Sequence, residues 1–240
     1  MGRRSLPKVD PTLDVSRHFF EPEQLERPIN LPQLFTDPTL PLEVEVGSGK
    51  GLFINTSSKA NPAHNYLGIE IAFKYARFAA SRLAKQESPN GRMIAGDALE
   101  LFRTWFPDES LAAVHDYFPD PWWKKKHRRR RVMNEEFLGN VQRTLKVGGK
   151  LHFWTDVQEY FDSALPIIAE STQLTGPLPV PENRPEHDFD YRTHFERRMR
   201  KHDHPIYRSE YLKEFATVPK PPKAQSADAQ PDSSLPPEQA

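Results

Sequence analysis

Cysteine is absent from this 240-residue chain. That excludes a disulfide scaffold, a cysteine nucleophile and any thiolate metal site, and it fits a reducing compartment. Long apolar runs are missing too. Nothing approaches the ~18 residues of a membrane span, and mean hydropathy is −0.73. The opening MGRRSLPKVDPTLDVSRHFF has two arginines but no apolar signal-peptide core, so a cytoplasmic location and no membrane association are expected. There is no net charge: 33 basic residues cancel 33 acidic ones, so partners must be read from local charge. Glycine numbers only 11 and proline 24, which makes the places where either one gathers informative.

Six prolines fall in residues 219–240, a stretch with almost no large apolar residue. It has too little apolar surface to offset the entropy of ordering, and a disordered tail is expected there. Residues 1–41 hold seven prolines with Arg3, Arg4 and Lys8, and read as an extended arm draped over a domain with a mobile tip. That domain is residues 42–218, with no internal repeat.

Within it, apolar runs alternate with helical periodicity. Strands are predicted at Leu42–Val46, Tyr66–Ile71, Arg92–Ala95, Leu111–Phe118 and Leu151–Trp154. Helices are predicted at Gly51–Lys59, Phe73–Lys85, Ala98–Trp105 and Val132–Leu145, the last ended by glycine in Lys146-Val147-Gly148-Gly149. Another helix begins at Val157–Ala164, and Pro166 is expected to break or kink it. Five such alternations predict an α/β fold: an open, mostly parallel sheet with helices on both faces.

Ligands of such sheets bind beyond the carboxyl ends of the strands, near the switch point. Every predicted strand end carries an acid: Glu45, Glu70, Asp97, Asp116 to Asp120, and Asp156. The first runs into Gly47-Ser48-Gly49. A phosphate-binding P-loop would need glycine where Val44 stands and Ser or Thr in place of Gly51. A dinucleotide fingerprint would need glycine in place of Leu52. Both readings fail. Glu45 before the turn disfavours an anion and favours a cation, while Gly47 and Gly49 let backbone approach a ligand closely. Glu70 lies where a second-strand acid grips ribose hydroxyls, and Asp97 is placed to accept from an adenine amino group. A cationic amino acid, a ribose and an adenine without phosphate describe S-adenosylmethionine.

Asp116 to Arg131 reads DYFPDPWWKKKHRRRR, and seven of the eight residues from Lys124 are Lys or Arg. A charge run is ordinarily a solvated face. Beside a ligand rim with two tryptophans, it reads as a footprint for a phosphate backbone. One tryptophan is expected to pack and the other to lie near a base.

EVGSGKG, YLGIEI, GDALELF, FPDPWWKKKHRRRR, TDVQEY and THFE resemble, in order and spacing, the bacterial tRNA (guanine-N7)-methyltransferases over about residues 42–200. The resemblance implies a Rossmann-like class I methyltransferase fold and methyl transfer from S-adenosylmethionine to N7 of the guanosine at position 46 in the tRNA variable loop. It implies cofactor contacts at Glu45, Glu70, Asp97 and Asp120, with Asp120 also catalytic. It implies substrate contacts at Lys124, Asp156, Thr193, His194, Phe195 and Glu196. His194 replaces a lysine of the usual TKFE, and Arg198 stands where glycine is common.

Structural readings stand beside several of these. Asp120 is also a turn residue of Pro-Asp-Pro, Asp156 a helix N-cap, and Glu196 a surface acid paired to Arg192 or Arg200. His194, His202 and His204 read as a solvated cluster rather than a metal site. Tyr75 and Phe78 read as core. Another methyltransferase of this fold, or a non-catalytic RNA-binding protein, is an alternative that the strand-end acids do not exclude. Monomer and homodimer are left open.

Overall fold

The structure, a computed structural model, describes residues 6–181 and 191–217. The Pro-rich segment from 219 to 240 lies outside the described residues. The elements run, in chain order, β1 (Phe19–Phe20), α1 (Leu31–Leu34), β2 (Leu42–Val46), α2 (Leu52–Ala60), β3 (Asn65–Glu70), α3 (Phe73–Lys85), β4 (Gly91–Ala95) and α4 (Ala98–Thr104). There follow β5 (Leu111–Tyr117), α5 (Glu135–Thr144), β6 (Leu145–Thr155), α6 (Gln158–Ser171), β7 (Thr175–Leu178), α7 (His194–Lys201) and β8 (Tyr207–Leu212). Short 3-10 turns occupy Pro22–Gln24 and Lys125–Arg130.

The described strands form one sheet in the order β1-β4-β3-β2-β5-β6-β8-β7. All neighbours from β1 to β6 are parallel, while β8 pairs antiparallel with β6 and with β7. The mostly parallel Rossmann-like architecture expected above is therefore present, extended by an antiparallel pair at one edge. The chain winds from β2 outward to β4, then returns to β5 on the other side of β2. The switch point lies between β2 and β5, where crossovers diverge and leave a crevice.

Helices α2 and α3 touch one another over one face, and α4, α5 and α6 cover the other. Each face buries its own apolar cluster, one around Phe53, Ala76, Ala79 and Leu83, the other around Val44, Phe102, Phe137 and Phe153. Burial of both faces is why the inner strands read as apolar runs. Helices α4 and α5 start at side-chain caps: Asp97 Oδ1 accepts from Leu99 N at 2.9 Å, and Asn134 Oδ1 from Phe137 N at 3.0 Å.

Three local expectations are corrected. The helix predicted over Val132–Leu145 begins at Glu135 and stops at Thr144, and the glycines after it do not cap it. They lie inside β6, where the register against β5 jumps between Leu111 and Ala113 and Gly148 takes φ +83°. A bulge in the strand uses the glycine. Of the break or kink expected at Pro166, the break does not occur, since α6 runs on to Ser171. Pro166 and Asp162 are both exposed, so the carbonyl that the proline leaves unbonded faces water. Residues 6–41 do more than drape. Phe19 and Phe20 add a parallel strand beside β4, and the buried Arg92 donates from Nε to Leu34 O at 2.5 Å, fastening the arm to the sheet. No helix among the described residues is long and apolar enough to cross a membrane.

Candidate functional site

The carboxyl ends of β2 to β6 share one rim, because those strands are parallel. At the switch point β2 ends in the glycine turn. Gly47 and Gly49 have φ of +69° and +54°, a region that side chains with a Cβ resist. The turn is laced to the next strand: Gly47 N and Ser48 N donate to Ile69 O at 2.9 and 3.0 Å, and Gly49 N donates to Glu70 Oε2 at 2.9 Å. The other Glu70 oxygen accepts from Ala72 N at 2.9 Å. Glu70 is thus aimed back at the turn and retains a lone pair on each oxygen.

Glu45 lies just before this turn and is 3% exposed. Its Oε2 is buried without a hydrogen-bond partner among the described residues. Burial pushes its carboxyl up to about 8, and the neighbouring Glu70 and Asp116 carboxylates add to the rise. An orphaned buried acid is costly unless something pairs with it. A cation entering the crevice would do so. Asp116, next to the end of β5, is in the same condition: buried, with Oδ2 unpartnered and its pKa pushed well up by desolvation. Asp97 caps α4 and remains at the surface.

Beyond β5 the chain makes a strained corner. Phe118 and Trp122 have φ of +55° and +47°, flanking Pro119-Asp120-Pro121. Non-glycine residues there cost of order 1–3 kcal/mol each and persist where the surroundings hold them. Phe118 N is held by Trp154 O at 2.7 Å. Asp120 is presented at the surface and lines a cavity of about 370 Å³ with Pro121, Trp122, Trp123, Lys124 and His127.

The basic run divides. Lys124, Lys126, Arg128, Arg129 and Arg130 are exposed. Arg131 is 7% exposed and donates from Nε to Pro121 O at 2.8 Å, from Nη2 to Glu159 Oε2 at 2.7 Å and from Nη1 to Ser163 Oγ at 3.0 Å. It therefore braces the corner instead of joining the exposed cations, which corrects the reading of the whole run as one surface.

The THFE segment opens α7. Thr193 is its N-cap, accepting from Glu196 N at 3.0 Å. Glu196 is buried, so the structural alternative of a surface acid fails on exposure but holds on partners: Oε2 accepts from Arg192 N at 2.7 Å and Oε1 from Arg200 Nε at 2.9 Å. Phe195 packs on Phe118 with centroids 5.1 Å apart, linking α7 to the strained corner. Arg198 sits in regular helix with its guanidinium 4.5 Å from the Phe195 ring, so no glycine is required there. The His194 ring has Nε2 3.3 Å from Arg82 Nη1. Desolvation and the cations Arg82, Lys50 and Arg197 lower its pKa to about 4, so the lysine charge is lost at neutral pH. Asp156 is not a cap: the N-cap of α6 is Val157, whose N–H donates to Thr155 Oγ1 at 3.2 Å.

A family model described as "Putative methyltransferase" matches residues 39–209. A tRNA (guanine-N(7)-)-methyltransferase of Rhodopirellula baltica is 52% identical over 219 residues, covering 89% of this chain and 80% of that protein. The chain belongs to the tRNA (guanine-N(7)-)-methyltransferase family. A Listeria innocua protein of the same name is 35% identical over 170 residues, 71% of this chain and 79% of that one. One from Mannheimia succiniciproducens is 31% identical over 175 residues, 73% and 70% respectively. Among solved structures, the aminoglycoside resistance methyltransferase NpmB1 aligns with a TM-score of 0.49 and 15% identity, over 72% of this chain and 87% of that chain.

In this family member one polar system escaped sequence reasoning. His64 Nδ1 meets Glu43 Oε1 at 2.6 Å, Glu43 Oε2 meets His115 Nε2 at 2.7 Å, and His115 Nδ1 meets Tyr117 Oη at 2.9 Å. Arg192 Nη1 donates to the same Oη at 3.1 Å, and His115 stacks on His152 with centroids 4.6 Å apart. One proton arrangement satisfies it: Arg192 donates to Tyr117, Tyr117 to His115 Nδ1, and a neutral His115 to Glu43 through Nε2. Burial keeps His115 below its ordinary pKa and drives His152 to about 2. The available signal was polar residues inside otherwise apolar strands, Glu43 and Glu45 in Leu42–Val46 and His115, Asp116 and Tyr117 in Leu111–Tyr117. Among the described residues no group of three or more His, Cys, Asp or Glu is arranged to hold a metal.

Proposed function

We propose that this chain is an S-adenosylmethionine-dependent tRNA (guanine-N7)-methyltransferase acting on the guanosine at position 46 of the variable loop. The observation that carries the cofactor reading is the buried Glu45 carboxyl, whose Oε2 has no hydrogen-bond partner among the described residues, beneath a left-handed glycine turn at the switch point. A cationic ligand is what such a carboxyl accommodates. Glu45, Gly47, Gly49, Glu70 and Asp97 would hold the cofactor, with Asp120 at the edge of its site. S-adenosylmethionine, when bound, supplies an electrophilic methyl on a sulfonium. The names of the relatives support tRNA guanine as the acceptor.

Guanine N7 has a free lone pair at neutral pH, so no residue need remove a proton. The protein aligns the base and manages charge. Methylation leaves the purine cationic, and Asp120 is the carboxylate placed to stabilise that change. Lys124 and its exposed neighbours hold phosphates. Thr193, His194, Phe195, Glu196 and Asp156 complete the substrate side, with Glu196 acting from within by fixing the start of α7.

The test is incubation with unmodified tRNA and methyl-labelled S-adenosylmethionine, then cleavage chemistry specific for 7-methylguanosine. Label at position 46 is the expected result. Label at another base or atom, or none, refutes the proposal.

A further inference from the structure

The corner after β5 carries two adjacent tryptophans in opposite situations. Trp122 is held: its ring meets His127 edge-on at 5.9 Å and 86°, and Arg130 lies 5.1 Å from its centroid. Trp123 is 67% exposed. A lone exposed aromatic is unremarkable. This one lines the same cavity of about 370 Å³ as Asp120, Lys124 and His127. That volume is at the small end of ligand cavities, roughly 300–1,000 Å³. Lys124 is the cation in its lining, and the exposed Lys126, Arg128, Arg129 and Arg130 follow directly in the chain, with Arg128 Nη2 also 3.2 Å from Glu159 Oε1. Two prolines and two left-handed residues pin the backbone beneath it. A rigid indole in a cationic field complements a polyanion that carries flat rings, namely RNA with a base turned outward.

We propose that Trp123 is the stacking platform for the guanine that is methylated, a role that rests on the function proposed above. The N7 lone pair lies in the plane of the purine, so a platform beneath the ring face leaves the nucleophilic edge open toward Asp120 and the crevice. The indole face is the most attractive of the aromatic surfaces for a cation. It therefore holds the ring more strongly as positive charge develops there, so Trp123 acts on turnover as well as on binding.

The experiment compares unsubstituted enzyme with Trp123→Phe and Trp123→Leu on unmodified tRNA. An alanine-scale loss of one base stack is roughly 5- to 150-fold. The Leu variant is expected to lose that much in kcat/KM, shared between kcat and KM, with the Phe variant close to the parent. The S-adenosylmethionine thermal shift and the salt slope of tRNA binding are expected to stay unchanged, because neither cofactor contacts nor cations are removed. Trp105 and Trp154 are buried and Trp122 is half-buried in the same cavity, so the quench on tRNA binding is expected to come from Trp122 and Trp123, and the Phe variant to lose the share of the more exposed Trp123. Parent-like kcat/KM in the Leu variant, equal losses in both variants, or a quench undiminished in the Phe variant overturns the role. If the unsubstituted enzyme itself fails to methylate tRNA guanine, the functional reading falls first and takes this role with it.

Discussion

The proposed contact between Glu45 and the cofactor couples binding to a proton. With its carboxyl near 8 in the free protein, about a tenth is ionised at pH 7 and about a hundredth at pH 6, against half at pH 8. Only the ionised form pairs with a cation, and apparent affinity falls with the competent fraction. S-adenosylmethionine binding should therefore tighten about fiftyfold from pH 6 to pH 8 and level off above, releasing nearly one proton at pH 7. Isothermal titration in buffers of different ionisation enthalpy measures both quantities. A Glu45→Gln variant should bind more weakly and lose the pH dependence. The same proton bears on stability. The folded chain holds it to about pH 8, whereas an unfolded chain releases it near 4.5. The contribution is thus full below 4.5 and lost progressively up to 8, by at most about 5 kcal/mol. Glu45→Gln should melt above the parent at pH 8, with the gap closing toward pH 5. A dissociation constant flat from pH 6 to 8, together with a buffer-independent enthalpy, would refute the reasoning.

Asp120→Ala should lower the single-turnover rate of tRNA methylation by about two to three orders of magnitude, with the fold unchanged by circular dichroism; near-normal turnover removes its charge-stabilising role. Neutralising the exposed Lys124, Lys126, Arg128, Arg129 and Arg130 should flatten the slope of log K against log salt by roughly 0.7–0.9 for each phosphate that is no longer paired with a cation; an unchanged slope places the RNA elsewhere. Arg131→Gln should leave that slope alone and instead lower stability by about 2–3 kcal/mol in urea titration, because its buried bonds to Pro121, Glu159 and Ser163 brace the corner.

Much of the frame was legible in the chain. Leu42–Val46 and Phe73–Lys85 form the predicted strand and helix, because apolar period and glycine punctuation are local properties. The strand-end acids were legible for the same reason: parallel topology sends every carboxyl end to one rim, so spacing alone groups Glu45, Glu70 and Asp97. What depended on long-range packing was not legible. Phe19–Phe20 becomes a strand only because β4 offers an edge, and Tyr207–Leu212 pairs with residues more than fifty positions earlier.

The run from Lys124 to Arg131 shows the division within a single motif. Its composition established a concentrated positive charge beside a tryptophan pair. Only the fold decided that Arg131 turns inward, that Trp122 is clasped and that Trp123 faces water. Composition sets what a side chain can do, whereas burial and partners, which arise when distant segments meet, set what it does. Glu45 follows the same rule. Its identity is written in the sequence, but its held proton comes from the sheet, the glycine turn and two other acids closing around it.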